Sequence, residues 1–283
     1  MRCPLEYFPR LLHNINTMEN NTNNKKVIII GASSGIGLST ALLLSQKGYD
    51  VINISRSNLD ATLKTVPADA SVPGSLRTSI DEAAAGNPID ALIYSAGCSM
   101  ASPIEYAEPA DYRYLFEVNF FGILEAMRAA IPHMKTRGGR IILISSMGGT
   151  LPVAFDAFYS ASKAAVDMIA EAADLELKPY NIRVCAVRPG GVATQFTFKR
   201  NIYPSGLVHE YAGKQNKATA ALAEMEQGGM PAEKVARTVA AVLETPNPPT
   251  KLAVGFKGKV FDAAVKILPL RVVEFFNSGM YDQ

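Results

Sequence analysis

Short apolar runs recur along the chain at positions 27–30, 50–54, 65–69, 91–95, 140–145, 182–187 and 251–255. Runs such as Val27-Ile28-Ile29-Ile30 and Ile141-Ile142-Leu143-Ile144 do not alternate apolar with polar residues, which is the pattern of strands covered on both faces. The gaps between runs carry helix-forming stretches, the first from Leu38 to Lys47. Strand followed by helix, with no other internal repeat, predicts a single-domain doubly wound α/β fold over residues 25–283. Such a parallel sheet has helices on both faces and a ligand crevice outside the carboxyl ends of its strands. Residues 1–24 stand apart. They end in Asn20-Asn21-Thr22-Asn23-Asn24, have nothing to bury, and are expected to form a disordered tail, with Met18 as an alternative start.

The first strand runs into Gly31-Ala32-Ser33-Ser34-Gly35-Ile36-Gly37 and then the first helix. Glycines at 31, 35 and 37 suit a tight reversal, close backbone approach to a ligand and close packing of helix on strand. The free N–H groups and positive end of the helix that follows suit a pyrophosphate. The same segment also satisfies the Gly-x-Ser-x-Gly elbow of a serine hydrolase with Ser33 as nucleophile, but no His-Gly-Gly run accompanies it and the third glycine is left unexplained. Further on, Phe158-Tyr159-Ser160-Ala161-Ser162-Lys163 sets a phenol and an ammonium four residues apart, on one face of a helix. A fixed cation favours the phenolate, so the pair is expected to make Tyr159 an acid that works well below the ordinary tyrosine value of about 10.

Four further stretches occur in a fixed order. Ser95-Ala96-Gly97 follows a strand, Asn119 lies in Glu117-Val118-Asn119-Phe120, Ser146 follows Ile141-Ile142-Leu143-Ile144, and Arg188-Pro189-Gly190-Gly191-Val192-Ala193-Thr194 closes the set. Together with the glycine turn and the Tyr-Lys pair, these residues resemble the short-chain dehydrogenase/reductase family from Lys25 onward, most closely its branch of hydroxysteroid dehydrogenases and acyl-ketone reductases. The resemblance implies a Rossmann-type fold and an oxidoreductase that interconverts a hydrophobic ketone and its secondary alcohol by hydride transfer. In that scheme Ser146 holds the substrate oxygen and Tyr159 gives or takes its proton. Lys163 keeps the tyrosine acidic and bonds the nicotinamide ribose, and Asn119 steadies a proton-relaying water.

The resemblance also implies a cofactor held by Gly31, Ser33, Ser34, Gly35, Ile36, Gly37, Ser95, Ala96, Gly97, Pro189, Gly190, Val192 and Thr194, with Asp69 and Ala70 at the adenine. At the end of the second strand an acidic residue would grip the ribose hydroxyls of NAD. Ser55 and Arg56 stand there instead, and an arginine's planar fork matches a phosphate, so NADP(H) is expected over NAD(H). Two departures from the family pattern are Ile30, where a threonine is usual, and Tyr94-Ser95-Ala96-Gly97, where Asn-Asn-Ala-Gly is usual. The stretch between Arg56 and Asp69 has room for only a stub of the usual helix.

Composition narrows the alternatives. The 283 residues are 48% hydrophobic and carry a formal charge of +2 with scattered basic residues, so a large core is expected and nucleic-acid binding is not. Cys3, Cys98 and Cys185 show no metal spacing and suit a reducing compartment, and His13, His133 and His209 lie far apart, so no metal site is expected. No run approaches the roughly 18 apolar residues that cross a bilayer, and no signal or transit segment is evident, so the cytoplasm is the expected location. Residues 195–230 form the candidate substrate lid. Its Phe196, Phe198, Tyr203, Tyr211, Met225 and Met230 either line an apolar pocket or pack the lid onto the body. The amphipathic segment Val260–Pro269 is expected to pack on the core or a partner rather than a membrane. The partners expected are a small apolar ketone or alcohol and, from the resemblance, a second or further copies of the chain in a homodimer or homotetramer. The rival to an enzyme is a retired, NADPH-binding sensor, although such a module has no need of a proton donor.

Overall fold

The computed structural model describes residues 25–57, 60–202 and 209–267. Seven strands form one parallel sheet: β1 (Lys26–Ile30), β2 (Asp50–Ser55), β3 (Lys64–Pro67), β4 (Ala91–Tyr94), β5 (Gly139–Ile144), β6 (Ile182–Arg188) and β7 (Lys251–Ala253), in the order β3-β2-β1-β4-β5-β6-β7. Val27 pairs with Val51 on one side and Ala91 on the other, so the order reverses at β1, with β2 and β4 as its neighbours. That reversal opens a crevice at the carboxyl ends of β1 and β4.

Alternate residues of the inner strands feed two cores, which is why those strands are largely apolar. Ile28, Ile30, Leu92, Tyr94, Ile141 and Leu143 face one side, under α2 (Ser75–Ala84), α4 (Gly122–Met134) and α5 (Ala157–Leu177). Val27, Ile29, Ala91, Ile93, Ile142 and Ile144 face the other, under α1 (Gly35–Gln46) and α7 (Ala232–Glu244). Each large side chain so buried contributes about 1.5–3 kcal/mol of transfer free energy. The α2 helix starts at Gly74 in the left-handed region and has no cap of its own; Glu125 of α4 accepts hydrogen bonds from Gly74 N and Arg77 N at 3.0 and 2.9 Å, a carboxylate where the helix dipole favours one.

The short α3 (Pro109–Phe116) passes into α4 through a π-helical turn, Glu117–Phe121. Between β2 and β3 the described residues form a turn and no helix, in line with the shortness of that stretch. Beyond β6, the chain carries α6 (His209–Gln227), and two parallel ladders bracket this excursion: Val192–Ala193 with Met230–Pro231, and Met100–Ala101 with Asn201–Ile202. After β7 comes α8 (Gly255–Ile267), tied to β6 by a hydrogen bond from Arg188 Nη1 to Asp262 Oδ1 at 2.7 Å. Phe256 and Val260 of α8 are exposed, while Val254 just before it is buried. Among the described residues no helix is long and apolar enough to cross a membrane. The expectations for residues 1–24, Tyr203 and the end of the Val260–Pro269 segment lie outside the described residues.

Candidate active site

The motif residues converge at the carboxyl ends of β1, β4, β5 and β6. Gly31 has a φ of +88°, and a Cβ there would sit 2.6 Å from Ala96 N; a Cβ on Gly37 would run into the Gly31 carbonyl. Both glycines are therefore fixed by close backbone packing. The turn is clamped from both neighbouring strands. Gly31 N donates to Ile54 O (2.8 Å), Ala32 N to Asn53 Oδ1 (3.0 Å) and Ser95 N to Ile30 O (2.8 Å). Asn53 was not singled out from the sequence, although a polar residue inside an apolar strand is a signal that something there needs a hydrogen bond. Ser34 at the start of α1 makes no side-chain cap, and the first turn holds no acidic residue, so its N–H groups and positive end face the crevice unopposed. A cleft of about 400 Å³ opens beside it, lined by Gly35, Leu38, Ser39, Thr194, Gln195 and Phe198. Ser33 and Ile36 of the turn are half-buried, and Val192 is buried. Pro189 O accepts from Met147 N at 2.9 Å, and nothing lies within 4 Å of a Cβ on Gly190.

At the adenine end, Ser55 is buried and bonds Asn53 Nδ2 (2.9 Å) and Ser57 O (2.8 Å). Arg56 is 68% exposed, with its Nη1 4.0 Å from Asp69 Oδ2. Burial raises the Asp69 carboxyl, but hydrogen bonds from Ser71 N and Oγ and the nearby Arg56 charge outweigh it and hold Asp69 below the usual carboxylate range. Ala70 lines a small pocket with Glu117, Phe121 and Glu125.

Asn119 sits in the π-helical turn with no exposure. Its Oδ1 accepts from Cys98 N (2.9 Å) and its Nδ2 donates to Cys98 O (2.9 Å) and Ser162 Oγ (3.1 Å), locking the loop after β4 to α5. The departure at Tyr94 has a local explanation. Its buried phenol donates to Val118 O at 2.6 Å, beside Asn119, and fills the space left by Gly122, where a Cβ would collide with Tyr94 Oη. Replacing Tyr94 with phenylalanine removes the donor and keeps the ring; urea unfolding is expected to show a loss of about 1–2 kcal/mol. A variant as stable as the parent would mean that the Val118 carbonyl does not need this donor.

Ser146 begins a short 3₁₀ turn; its Oγ accepts from Gly148 N at 3.0 Å and also bonds the Tyr159 phenol. Lys163 is buried and donates from Nζ to Ile144 O at 2.9 Å, with its ammonium 5.6 Å from the centroid of the Tyr159 ring. Burial pushes Lys163 down to about 8, against the pull of Cys98 and Asp167. The phenol does not follow the expectation drawn from spacing. Burial raises Tyr159 above its ordinary value, the Ser146 hydrogen bond opposes it, the Asp156 and Glu226 carboxylates raise it further and Arg200 lowers it. Spacing put the pair side by side, but the lysine's hydrogen bond goes to a backbone carbonyl, and desolvation dominates.

The lid aromatics divide between the two roles. Phe196 lies on Tyr159, 5.8 Å between centroids, while Tyr211 packs edge-on against Tyr106 and Phe155 and so fixes α6 to the body. Phe198 and Met225 are exposed, and Met230 packs on the core beneath α7. For the hydrolase alternative, His133 pairs with Asp81 at 2.8 Å and its carbonyl accepts from Ile89 N, near the amino end of β4. That is the opposite end of the sheet from Ser33, so this pair cannot activate it.

Comparison with known proteins agrees with this architecture. The family model for short chain dehydrogenases matches residues 25–202. A 3-ketodihydrosphingosine reductase of Bacteroides thetaiotaomicron is 33% identical over 234 residues, covering 81% of this chain and 87% of the relative. A probable short-chain type dehydrogenase/reductase of Helicobacter pylori, VdlC, is 30% identical over 253 residues, 86% of this chain and 92% of its own. The crystal structure of a short-chain dehydrogenase from Streptomyces avermitilis aligns with a TM-score of 0.75 at 26% identity, over 92% of this chain and 100% of that one. The match runs from the first strand through the Tyr-Lys pair and beyond it, and the chain belongs to the short-chain dehydrogenase/reductase family of nicotinamide-dependent oxidoreductases.

Proposed function

We propose that the protein is an NADP(H)-dependent enzyme that interconverts a hydrophobic ketone and its secondary alcohol, with Tyr159 as the general acid and base. The observation that carries this reading is the meeting of Ser146, Tyr159 and Lys163 beside the uncapped start of α1, with Asn119 bracing the loop between them. The residues present fit a nicotinamide dinucleotide. Gly97 has no side chain where a Cβ would meet Asn119 Oδ1 at 3.4 Å and Lys163 Nζ at 3.7 Å, and the buried ammonium there suits ribose hydroxyls. When bound, the nicotinamide supplies hydride in reduction and accepts it in oxidation.

The chain's own groups do the rest. Ser146 Oγ, held by Gly148 N, donates a hydrogen bond to the substrate oxygen as negative charge grows on it. Tyr159 then gives that oxygen its proton; a phenol raised by burial keeps the proton until an anion forms beside it. Lys163 stabilises the phenolate left behind. Phe196, packed on the Tyr159 ring, and the exposed Phe198 and Met225 favour an apolar substrate, and the Bacteroides relative is named for reducing a ketone of this general kind. We further propose a cytoplasmic homodimer or homotetramer built on the helices near Asn119 and Tyr159, where Phe121, Met168 and Leu175 are exposed.

Reduction of acetophenone and of long-chain methyl ketones, followed by loss of NADPH absorbance, tests the reading. Tight NADPH binding without turnover of any of these ketones would favour the sensor. Cofactor preference has its own test. Arg56→Asp is expected to reverse selectivity toward NADH, because a carboxylate grips ribose hydroxyls and repels the phosphate that the guanidinium attracts. An unchanged ratio of kcat/KM for NADPH and NADH would remove Arg56 from this role.

A further inference from the structure

A second polar cluster lies beside the proposed proton donor and takes no part in the chemistry above. Asp156, just ahead of α5, is 4% exposed, yet it does not cap that helix. Its Oδ1 accepts instead from Ser99 Oγ at 2.9 Å. Ser99 Oγ accepts from Arg200 Nε at 3.0 Å, Arg200 Nη2 donates to Glu226 Oε1 at 2.6 Å, and Glu226 Oε2 accepts from Thr197 Oγ1 at 2.6 Å. One chain of bonds thus joins the start of α5, the loop after β4, the segment Thr197–Arg200 and the last turn of α6. Two carboxylates face one guanidinium within it, so the cluster carries one uncompensated negative charge when all are ionised. Burying such a charge is costly for folding, and nothing in the packing of the sheet requires it.

We propose that Asp156 and Arg200 are positioning residues for Tyr159: through Ser99 and Glu226 they hold the segment bearing Phe196 against the phenol and fix the charge that the phenol faces. The inference rests on the reading of Tyr159 as the acid and base. The groups around the phenol are Ser146 from the β5 loop, Lys163 from α5, Asp156 just ahead of α5, Arg200 from the segment after β6 and Glu226 from α6. The carboxylates of Asp156 and Glu226 oppose formation of a phenolate and Arg200 favours it. Asp156 is itself pushed up to about 7 by burial, with Arg200 and Ser99 pulling it down and Glu226 pushing it up, so its charge changes near neutral pH.

Opposite charge changes should therefore move Tyr159 in opposite directions. In the reduction of acetophenone with NADPH, activity falls on the alkaline side first as Lys163, at about 8, loses its proton and then as the phenol does. The later limb is the one that reports Tyr159. Asp156→Asn is expected to move that limb to lower pH by about one unit, Arg200→Gln to higher pH by a similar amount, and Arg200→Lys to leave it where it is in the parent. A second readout needs neither cofactor nor turnover. An aspartate whose folded value lies above the unfolded value of about 4 loses stability as it ionises, so the parent's Tm should fall between about pH 4 and about pH 7, and Asp156→Asn should lack that component. Limbs that do not move, or that move the same way in Asp156→Asn and Arg200→Gln, would overturn the inference, as would parallel melting profiles for the parent and Asp156→Asn. If Arg200→Gln fails to fold, Asp156→Asn and Arg200→Lys still decide it. Turnover that survives Tyr159→Phe would overturn the reading of Tyr159 itself, whereas turnover lost in Tyr159→Phe with unmoved limbs would overturn only the role of the cluster.

Discussion

Tyr159→Phe is expected to lower turnover of an apolar ketone by about a hundredfold or more, the usual size of a lost general acid, while NADPH affinity stays nearly unchanged. The substitution removes one oxygen and keeps the ring that packs on Phe196 at 5.8 Å, so the wall of the pocket survives. Lys163 keeps its bond to Ile144 O, and the glycine turn keeps its clamps from Ile54 and Asn53. What disappears is the proton that must reach the substrate oxygen and the partner of the Ser146 hydroxyl. Fluorescence titration of NADPH separates binding from chemistry. Residual turnover in the variant should also lack the pH limb that the phenol imposes. A variant that reduces ketones as well as the parent would assign the proton donor elsewhere, and one that no longer binds NADPH would show that the hydroxyl serves the cofactor before the substrate.

The sheet was legible because its strands are apolar on both faces, a pattern that survives without knowledge of tertiary contacts. The boundaries that shifted did so for local reasons. The last strand ends at Ala253 rather than at 255 because Gly255, with a φ of +78°, turns the chain into α8. The third strand is Lys64–Pro67, earlier than 65–69, and it stops where Asp69 folds back on Ser71. The two short ladders that bracket α6 left no trace in the sequence, since two residues cannot show a period. Motif spacing likewise brought the candidate site residues to one end of the sheet, but it held no information on the direction in which Tyr159 titrates. That direction follows from burial and from two carboxylates, Asp156 just ahead of α5 and Glu226 in α6. Ser99, Asp156, Arg200 and Glu226 are each unremarkable in isolation, and only the fold makes them one cluster. Tyr94 was visible as a departure, whereas its acceptor at Val118 and the space at Gly122 were not.

Arg188→Met is expected to lower unfolding free energy by about 3–5 kcal/mol, the range for removing one partner of a buried ion pair. Arg188 ends β6, directly before Pro189, and its side chain is 2% exposed. Its Nε lies 3.1 Å from Asp167 Oδ2 of α5, its Nη1 donates to Asp262 Oδ1 of α8 at 2.7 Å, and its Nη2 bonds Thr150 Oγ1. One guanidinium therefore joins two helices and a loop to the end of a central strand. Methionine fills much of the same volume, so the loss reports charge rather than a cavity. Asp167 has no reserve, because its Oδ1 is already buried without a hydrogen-bond partner. Burial raises its carboxyl, Ser145 and Arg188 oppose that, and without Arg188 it should rise further. A carboxyl that takes up its proton more readily in the folded state is less harmful in acid, so the deficit should narrow as pH falls and be widest above neutrality. Urea unfolding across that range checks both points, and a double-mutant cycle with Asp167→Asn should return less than the sum of the single losses. A loss below about 1 kcal/mol, or one that does not vary with pH, would show that the three charges are not held together out of water, and the anchoring of α8 through Asp262 would fall with them.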